Sequence, residues 1–433
     1  MVDDSVSVEV RDSLSGIEPQ QWNALSDTSN PFVSYEFLYS LECTGCMGKH
    51  NGWYPRYFLL WDSGTPATLL GAMPCYLKTN SYVEFVFDWA WAEAYERNNL
   101  DYYPKLVCSI PFTPATGPRI LVHDSQPYDE TVCLLANAAR QFCTSQGYSS
   151  VHWLFITEQE SRVLCANDQQ KEPQKDQQNE QQKEKDDTAE SDDTNGAETD
   201  APVKQLELLQ RTDCQYHWKN DNYTSFDDFL TRCTAKRRKT IRRERRYVTD
   251  APLKITRRIG STLSDEEWMW VHELYASTFD RKWGNPSLTF EFFKRIGRIF
   301  GGNVLVVMVN SEFEECAEKP IACSIMFFGK STLYGRYWGC SEEHHSLHFE
   351  ACYYQGIEFC IERGLSVFEP GAQGEHKITR GFYPTVTRSA HYIVHSGFRE
   401  AIADFLAEER QHVEHRCTDL TNLLPYKKHS TIS

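Results

Sequence analysis

Apolar residues along the chain switch between two periods. Tyr54–Trp61 and Thr68–Lys78 are β-rich runs that pair as neighbouring strands. Asp129–Gln146 carries Val132, Leu135, Ala139 and Phe142 at helical spacing and stops at Gly147, and Val151–Phe155 is the next strand. The same order returns later. Asn303–Val309, Ile321–Phe328 and Thr332–Cys340 are strands, the last two joined by Gly329-Lys330-Ser331. A helical stripe through Phe349, Cys352, Tyr353, Gly356, Ile357, Cys360 and Ile361 follows, ends at Gly364, and precedes a short strand, Ser366–Glu369. Phe142-Cys143 with Gly147-Tyr148-Ser149 mirrors Phe359-Cys360 with Gly364-Leu365-Ser366, 217 residues apart. A mixed α/β plan therefore occurs twice in tandem.

Further helices fill the second half. Ser264 with Glu267 has capping-box spacing before the stripe Trp268, Val271, Leu274, Tyr275 and Phe279. Phe398, Ala401, Ile402 and Phe405 predict a C-terminal helix, and Leu206–Trp218 reads as the last strand of the first unit. The expected division is a first domain over 1–222 and a second over 223–433, with a boundary near Asn220–Ser225.

Composition adds a compartment and a charge map. The 433 residues hold Lys+Arg 45 against Asp+Glu 61, a net charge of −16. No window offers the ~18 apolar residues of a spanning helix, and the start, Met-Val-Asp-Asp, lacks the basic and apolar run of a signal peptide. A cytoplasmic protein is expected, with its 15 Cys reduced and mostly buried. Half the charge sits in one stretch. Residues 167–202 contain twelve acids against four Lys, a net −8, with almost nothing apolar, which predicts a disordered acidic, Gln-rich insertion. The segment 232–246 inverts the sign, with nine basic residues and Glu244 as its one acid, a net +8. As a helix it sets Arg238 beside Arg242 and Lys239 beside Arg243, the composition of a solvated helix face or of a phosphate- or RNA-binding surface.

Several long strings then converge on one family. Asn30-Pro-Phe-Val-Ser-Tyr-Glu-Phe-Leu, Phe87-Asp-Trp-Ala-Trp, Tyr103-Pro-Lys-Leu, Pro111-Phe-Thr-Pro and Lys239-Thr-Ile-Arg-Arg-Glu-Arg-Arg resemble the FemAB-like predicted N-acyltransferases of the GNAT superfamily, also labelled peptidoglycan biosynthesis/recognition proteins. Gly335-Arg-Tyr-Trp-Gly-Cys, Leu347-His-Phe-Glu, Tyr353-Tyr-Gln and Gly371-Ala-Gln-Gly-Glu-His-Lys do so as well. The resemblance implies tandem GNAT-like domains, each a twisted mixed sheet flanked by helices. It also implies transfer of an acyl or aminoacyl group to a primary amine, with acyl-CoA or aminoacyl-tRNA as co-substrate and no permanently bound cofactor.

Such chemistry needs a base for the amine, donors for the carbonyl oxygen and a proton for the leaving group. In GNAT-like folds the cleft lies where central strands splay, here between Tyr334–Cys340, the helix starting near Leu347 and the strand ending at Glu369. Candidate catalytic residues are Glu369, Glu375, His376 and Tyr383. Candidate substrate contacts are Arg336, Tyr337, Trp338, His348, Glu350, Gln373, Lys377 and Arg380, with Asp88 and Trp89 in the first half. Arg238, Lys239, Arg242 and Arg243 are the candidate phosphate or RNA contacts. The loop from Pro370 to Gly381, with three glycines among charged groups, reads as ligand-contacting backbone. CoA-using GNAT enzymes carry a Gly-rich turn before the helix, whereas Cys340-Ser-Glu-Glu-His-His-Ser-Leu347 has no glycine and two acids. That departure favours an aminoacyl-tRNA donor. Cys43-Thr-Gly-Cys46 has no second pair, and no metal site is expected. The alternative function is a non-catalytic protein that binds tRNA or a phosphate ligand on the same fold.

Overall fold

The computed structural model describes residues 6–26, 29–86, 88–166, 206, 208–280, 285–312 and 319–427. The acidic stretch 167–202 lies outside them. The strands are β1 (Val6–Arg11), β2 (Trp53–Asp62), β3 (Leu69–Lys78), β4 (Lys105–Cys108), β5 (Leu121–Val122), β6 (Ser150–Ile156) and β7 (Leu209–Lys219), then β8 (Leu253–Ile259), β9 (Val304–Ser311), β10 (Ala322–Phe328), β11 (Thr332–Cys340), β12 (Val367–Glu369) and β13 (Tyr383–Ile393). They form one continuous sheet in the order β1-β2-β3-β4-β6-β13-β7-β12-β11-β10-β9-β8, with β5 beside β3.

Each half repeats one motif. Antiparallel β1–β4 end in a parallel pair, β4 with β6, whose crossover contains the helix Tyr128–Ser145. Antiparallel β8–β11 end in the parallel pair β11 with β12, and there the crossover helix spans 347–363. The mirrored glycines close both crossover helices in the left-handed conformation, Gly147 at φ 70° and Gly364 at φ 66°. The two terminal strands are exchanged. β7, read as the last strand of the first unit, pairs with β12 of the second, while β13 pairs with β6 of the first. β7 and β13 pair with each other over nine residues, Tyr383↔His217 to His391↔Leu209, and so join the halves.

Packing follows the predicted stripes with one correction. Trp268, Val271, Leu274 and Tyr275 are buried, and Ser264 and Glu267 form the expected reciprocal cap. Gly339 lets the helix Asp265–Asp280 lie directly on β11, since a Cβ there would stand 1.9 Å from the Leu274 carbonyl oxygen. In the C-terminal helix, Ser396–Thr421, the buried positions are Ile402, Leu406 and Leu420, whereas Ala401 and Phe405 face solvent. The helix is longer than the four quoted positions, and its stripe runs through 402 and 406 instead. One apolar cluster crosses between the halves: Phe32 packs on Phe327 at 5.3 Å and on Tyr334 at 5.0 Å.

Candidate functional site

β11 and β12 run side by side only as far as Tyr334↔Glu369. Beyond that pair β11 continues to Cys340 against β10 while the chain after β12 turns away at Pro370, so the sheet opens on that side, where the sequence places the cleft. Gly335 sits under the opening, where a Cβ would be 3.1 Å from the Pro370 Cα.

Glu369 closes the narrow end and is buried. Its Oε2 accepts from the Thr116 amide at 3.3 Å and lies 3.8 Å from His217 Nε2 on β7. Burial pushes its carboxyl up to about 8, opposed by the Thr116 hydrogen bond and the Arg119 and Arg336 charges. Burial drives His217 down to about 3, with the Lys377 and Lys219 charges adding to it, so the imidazole is neutral. The Thr116 loop is held from two sides. Asn30 donates to the Thr116 carbonyl at 3.3 Å, and fully buried Arg119 donates to the carbonyls of Ala115, Gly117, Pro118 and Leu154 at 2.5–3.1 Å. Around Glu369, three buried polar atoms have no hydrogen-bond partner among the described residues: His217 Nε2, Thr116 Oγ1 and Arg336 Nε. Native interiors rarely leave such groups unpaired, and a cluster of them fits a polar ligand.

The loop after β12 brings the second group. Gly371 and Gly374 have φ of 97° and 112°, which residues with a Cβ rarely adopt. These turns bend the short helix Glu375–Arg380 back so that Lys377 points inward, its Nζ donating to the Gly371 carbonyl at 2.7 Å. Burial lowers its ammonium to about 7, and Arg336 pushes the same way against a neighbouring Cys352. Arg336, which donates to the Phe112 carbonyl at 2.5 Å, thus acts on both Glu369 and Lys377.

An aromatic and ionic wall supports the loop. His376 Nε2 meets the Tyr353 hydroxyl at 2.9 Å; burial and the Arg380 and Lys377 charges lower its pKa. His348 packs edge-on to Trp338 and Tyr353 and is pushed down to about 4, mostly by burial. Arg380 donates to the His376 carbonyl at 2.7 Å and to both Glu244 oxygens at 3.1 and 2.7 Å. Tyr354 also donates to Glu244. Glu350 is gripped by Arg245 at 3.1 and 2.9 Å and holds the wall rather than the opening. The segment Glu350–Tyr354 is a π-turn inside its helix, a widening common at functional sites.

Other candidates lie elsewhere. Glu375 is exposed and paired with Arg416 at 3.0 Å. Tyr383 stacks on Tyr426 at the start of β13. Tyr337 packs edge-on to Tyr275 beneath the Arg336 guanidinium. Gln373 and Gly374 line a cavity of about 450 Å³ that also touches Gln215 on β7 and Phe155 of the first half. In the basic helix, Ala235–Thr249, Lys239, Arg242 and Arg243 are exposed, Arg242 meeting Asp227 at 3.0 Å, while Arg238 is half-buried against the Leu230 carbonyl.

Asp88 belongs to a sealed network in the first half. It shares Lys105 with Glu84, at 2.5 and 2.8 Å, and accepts from Tyr102; Trp89 beside it is exposed. This network ends in His152, whose Nδ1 is 2.6 Å from His391 Nδ1. His152 lies 217 residues before Glu369, and His391 faces it across β6 and β13 as His217 faces Glu369 across β7 and β12. Both His152 and His391 are wholly buried, which holds them well below the usual imidazole range. The first half therefore keeps the position of the pair with a different, closed chemistry. His217 and Thr116 escaped sequence reasoning, because one sits on an exchanged strand and the other is far away in sequence.

The sheet order and the two parallel pairs with their crossover helices define a mixed α/β protein in which one motif occurs twice. The chain belongs to the FemAB-like family, described as peptidoglycan biosynthesis/recognition, which matches residues 13–428. Among solved structures it is similar to FemX, with TM-score 0.51 and 12% identity over 91% of this chain and 100% of that one. A conserved protein of unknown function from Bacteroides thetaiotaomicron follows, with TM-score 0.45 and 9% identity over 89% and 99%. So does the C-terminal domain of a putative lysylphosphatidylglycerol synthetase from Agrobacterium fabrum, with TM-score 0.47 and 8% identity over 90% and 96%. No curated protein matches the sequence. Among the described residues, no helix is long and apolar enough to cross a membrane.

Proposed function

We propose that the protein transfers an aminoacyl group from an ester donor to a primary amine at the opening between β11 and β12. The observation that carries this reading is that two buried groups acted on by the same Arg336 charge are both moved toward neutrality, Glu369 up to about 8 and Lys377 down to about 7. Groups whose environments move their pKa values into the working range are suited to proton transfer. Near neutral pH Glu369 holds its proton and about half of the Lys377 side chains are free amines. Lys377 then takes the proton from the attacking ammonium, and the amine lone pair forms the new C–N bond. Arg336 stabilises the carbonyl oxygen as charge gathers on it. The C–O bond to the leaving group breaks as Glu369 gives its proton to that oxygen, and the surplus proton on the new C–N nitrogen then passes to the Glu369 carboxylate, leaving a neutral amide. An alkoxide needs such an acid, whereas a thiolate leaves without one, so the protonated carboxyl favours aminoacyl-tRNA over acyl-CoA. The exposed cations Lys239 and Arg243 supply a docking face of the right charge. The acceptor would enter through the cavity lined by Gln215 and Gln373. In this reading the domains are 1–222 and 223–433 with β7 and β13 exchanged.

The test incubates the full chain with radiolabelled aminoacyl-tRNA and a UDP-linked muropeptide carrying a free amine. Transfer of label to the peptide, lost in both Glu369→Gln and Lys377→Met with folding retained, is expected. Transfer from acyl-CoA but not from tRNA would overturn the donor assignment. Tight tRNA binding with no turnover of either donor would favour the non-catalytic alternative.

A further inference from the structure

One wall of the cavity carries reactive groups that acyl transfer does not use. Cys214 on β7 and Val413 and Arg416 on the C-terminal helix line it together. Cys417, on the same helix, packs against the cluster that contains Cys214, and each thiol shifts the ionisation of the other. The pair is asymmetric: Cys214 is buried and Cys417 is partly exposed. Interaction with Cys214 and the Arg416 charge hold the Cys417 thiol below its ordinary range, while interaction with Cys417 and burial raise Cys214. Arg416, next in sequence to Cys417, also holds Glu375 of the glycine loop at 3.0 Å.

We propose that Cys214 and Cys417 are a peroxide-responsive dithiol, a modification site that ties the C-terminal helix to β7 at the cavity wall. The Cys417 thiolate attacks hydrogen peroxide, the O–O bond breaks, and a sulfenic acid and hydroxide form. The Cys214 sulfur then attacks the sulfenic sulfur. The S–S bond forms, the S–O bond breaks, and the departing hydroxide leaves as water with the Cys214 proton. Two thiols lose two electrons and two protons, and peroxide becomes two waters. A bond of about 2.05 Å requires closer approach than a thiol contact. It therefore draws the helix onto β7 and shifts Arg416 relative to Glu375. The inference does not depend on the acyl-transfer reading.

Cys75 and Cys108 provide an internal control. They face each other across β3 and β4 and their thiols also interact, but both are wholly buried. The experiment exposes the folded full chain to hydrogen peroxide, alkylates the remaining thiols and maps non-reduced tryptic peptides by mass spectrometry. Expected is a Cys214–Cys417 linked peptide about 2 Da lighter than its two components, reversed by dithiothreitol and absent in Cys417→Ser, with Cys75 and Cys108 unlinked. Cys417 found as a sulfinate or alkylated, without the linked peptide, would overturn the proposal. So would linkage of Cys75 to Cys108 at the same rate, since proximity alone would then explain both.

Discussion

Glu369 shows most clearly how burial sets chemistry at a single residue. Its pKa in the fold, about 8, stands above the 4.5 of an exposed glutamate, so the native state binds the proton more tightly than the unfolded chain. The stabilisation this gives is complete below about pH 4.5 and is lost as pH rises through about 8. Glu369→Gln removes that loss, and its thermal midpoint should exceed that of the wild type above pH 8 while matching it more closely at pH 5. Arg245 makes the opposite point. It neutralises buried Glu350 and also meets Glu358 at 2.6 Å, so Arg245→Met should cost about 3–5 kcal/mol in urea unfolding by stranding a charge. Sequence alone marked Glu369 by its place at a strand end, and it marked Glu244 only as the single acid in a basic run. That acid proves to be the partner of Arg380 and Tyr354, which no local pattern discloses.

At the scale of elements, patterns that repeat within one segment were legible and patterns that depend on a distant partner were not. The predicted strands Thr332–Cys340 and Val151–Phe155 and both crossover helices agree with the fold within a residue or two, because each buries a periodic face. β13 was missed: it is half-buried, rich in Thr, Ser, Arg and His, and becomes a strand through its pairing with β6 and β7. The C-terminal helix tests the corrected stripe. Ile402→Ala should destabilise by about 2–4 kcal/mol, while Phe405→Ala, at an exposed position, should change stability by less than about 0.5 kcal/mol. Gly339→Ala should be severe, since the Leu274 backbone leaves no space for a methyl group.

Across the whole molecule, the exchange of β7 and β13 explains why duplication yields one polar opening and one sealed core. Each half supplies a strand to the other, so Glu369 of the second half is completed by His217 and Thr116 from the first part of the chain. The global charge of −16 conceals a basic helix whose exposed face is available for a polyanion. Reversing Lys239 and Arg243 to Glu should weaken tRNA binding and flatten its salt dependence, as measured by filter binding from low to physiological salt. The central claim is that Lys377 and Glu369 divide the proton transfers, and the pH dependence of kcat/KM for aminoacyl transfer reads it most directly. The predicted profile is a bell, falling below about pH 7 as Lys377 becomes charged and above about pH 8 as Glu369 ionises. Glu369→Gln should remove the alkaline limb along with most of the rate. A wild-type rate that climbs steadily through pH 9, or a Gln variant with full activity, would contradict the account.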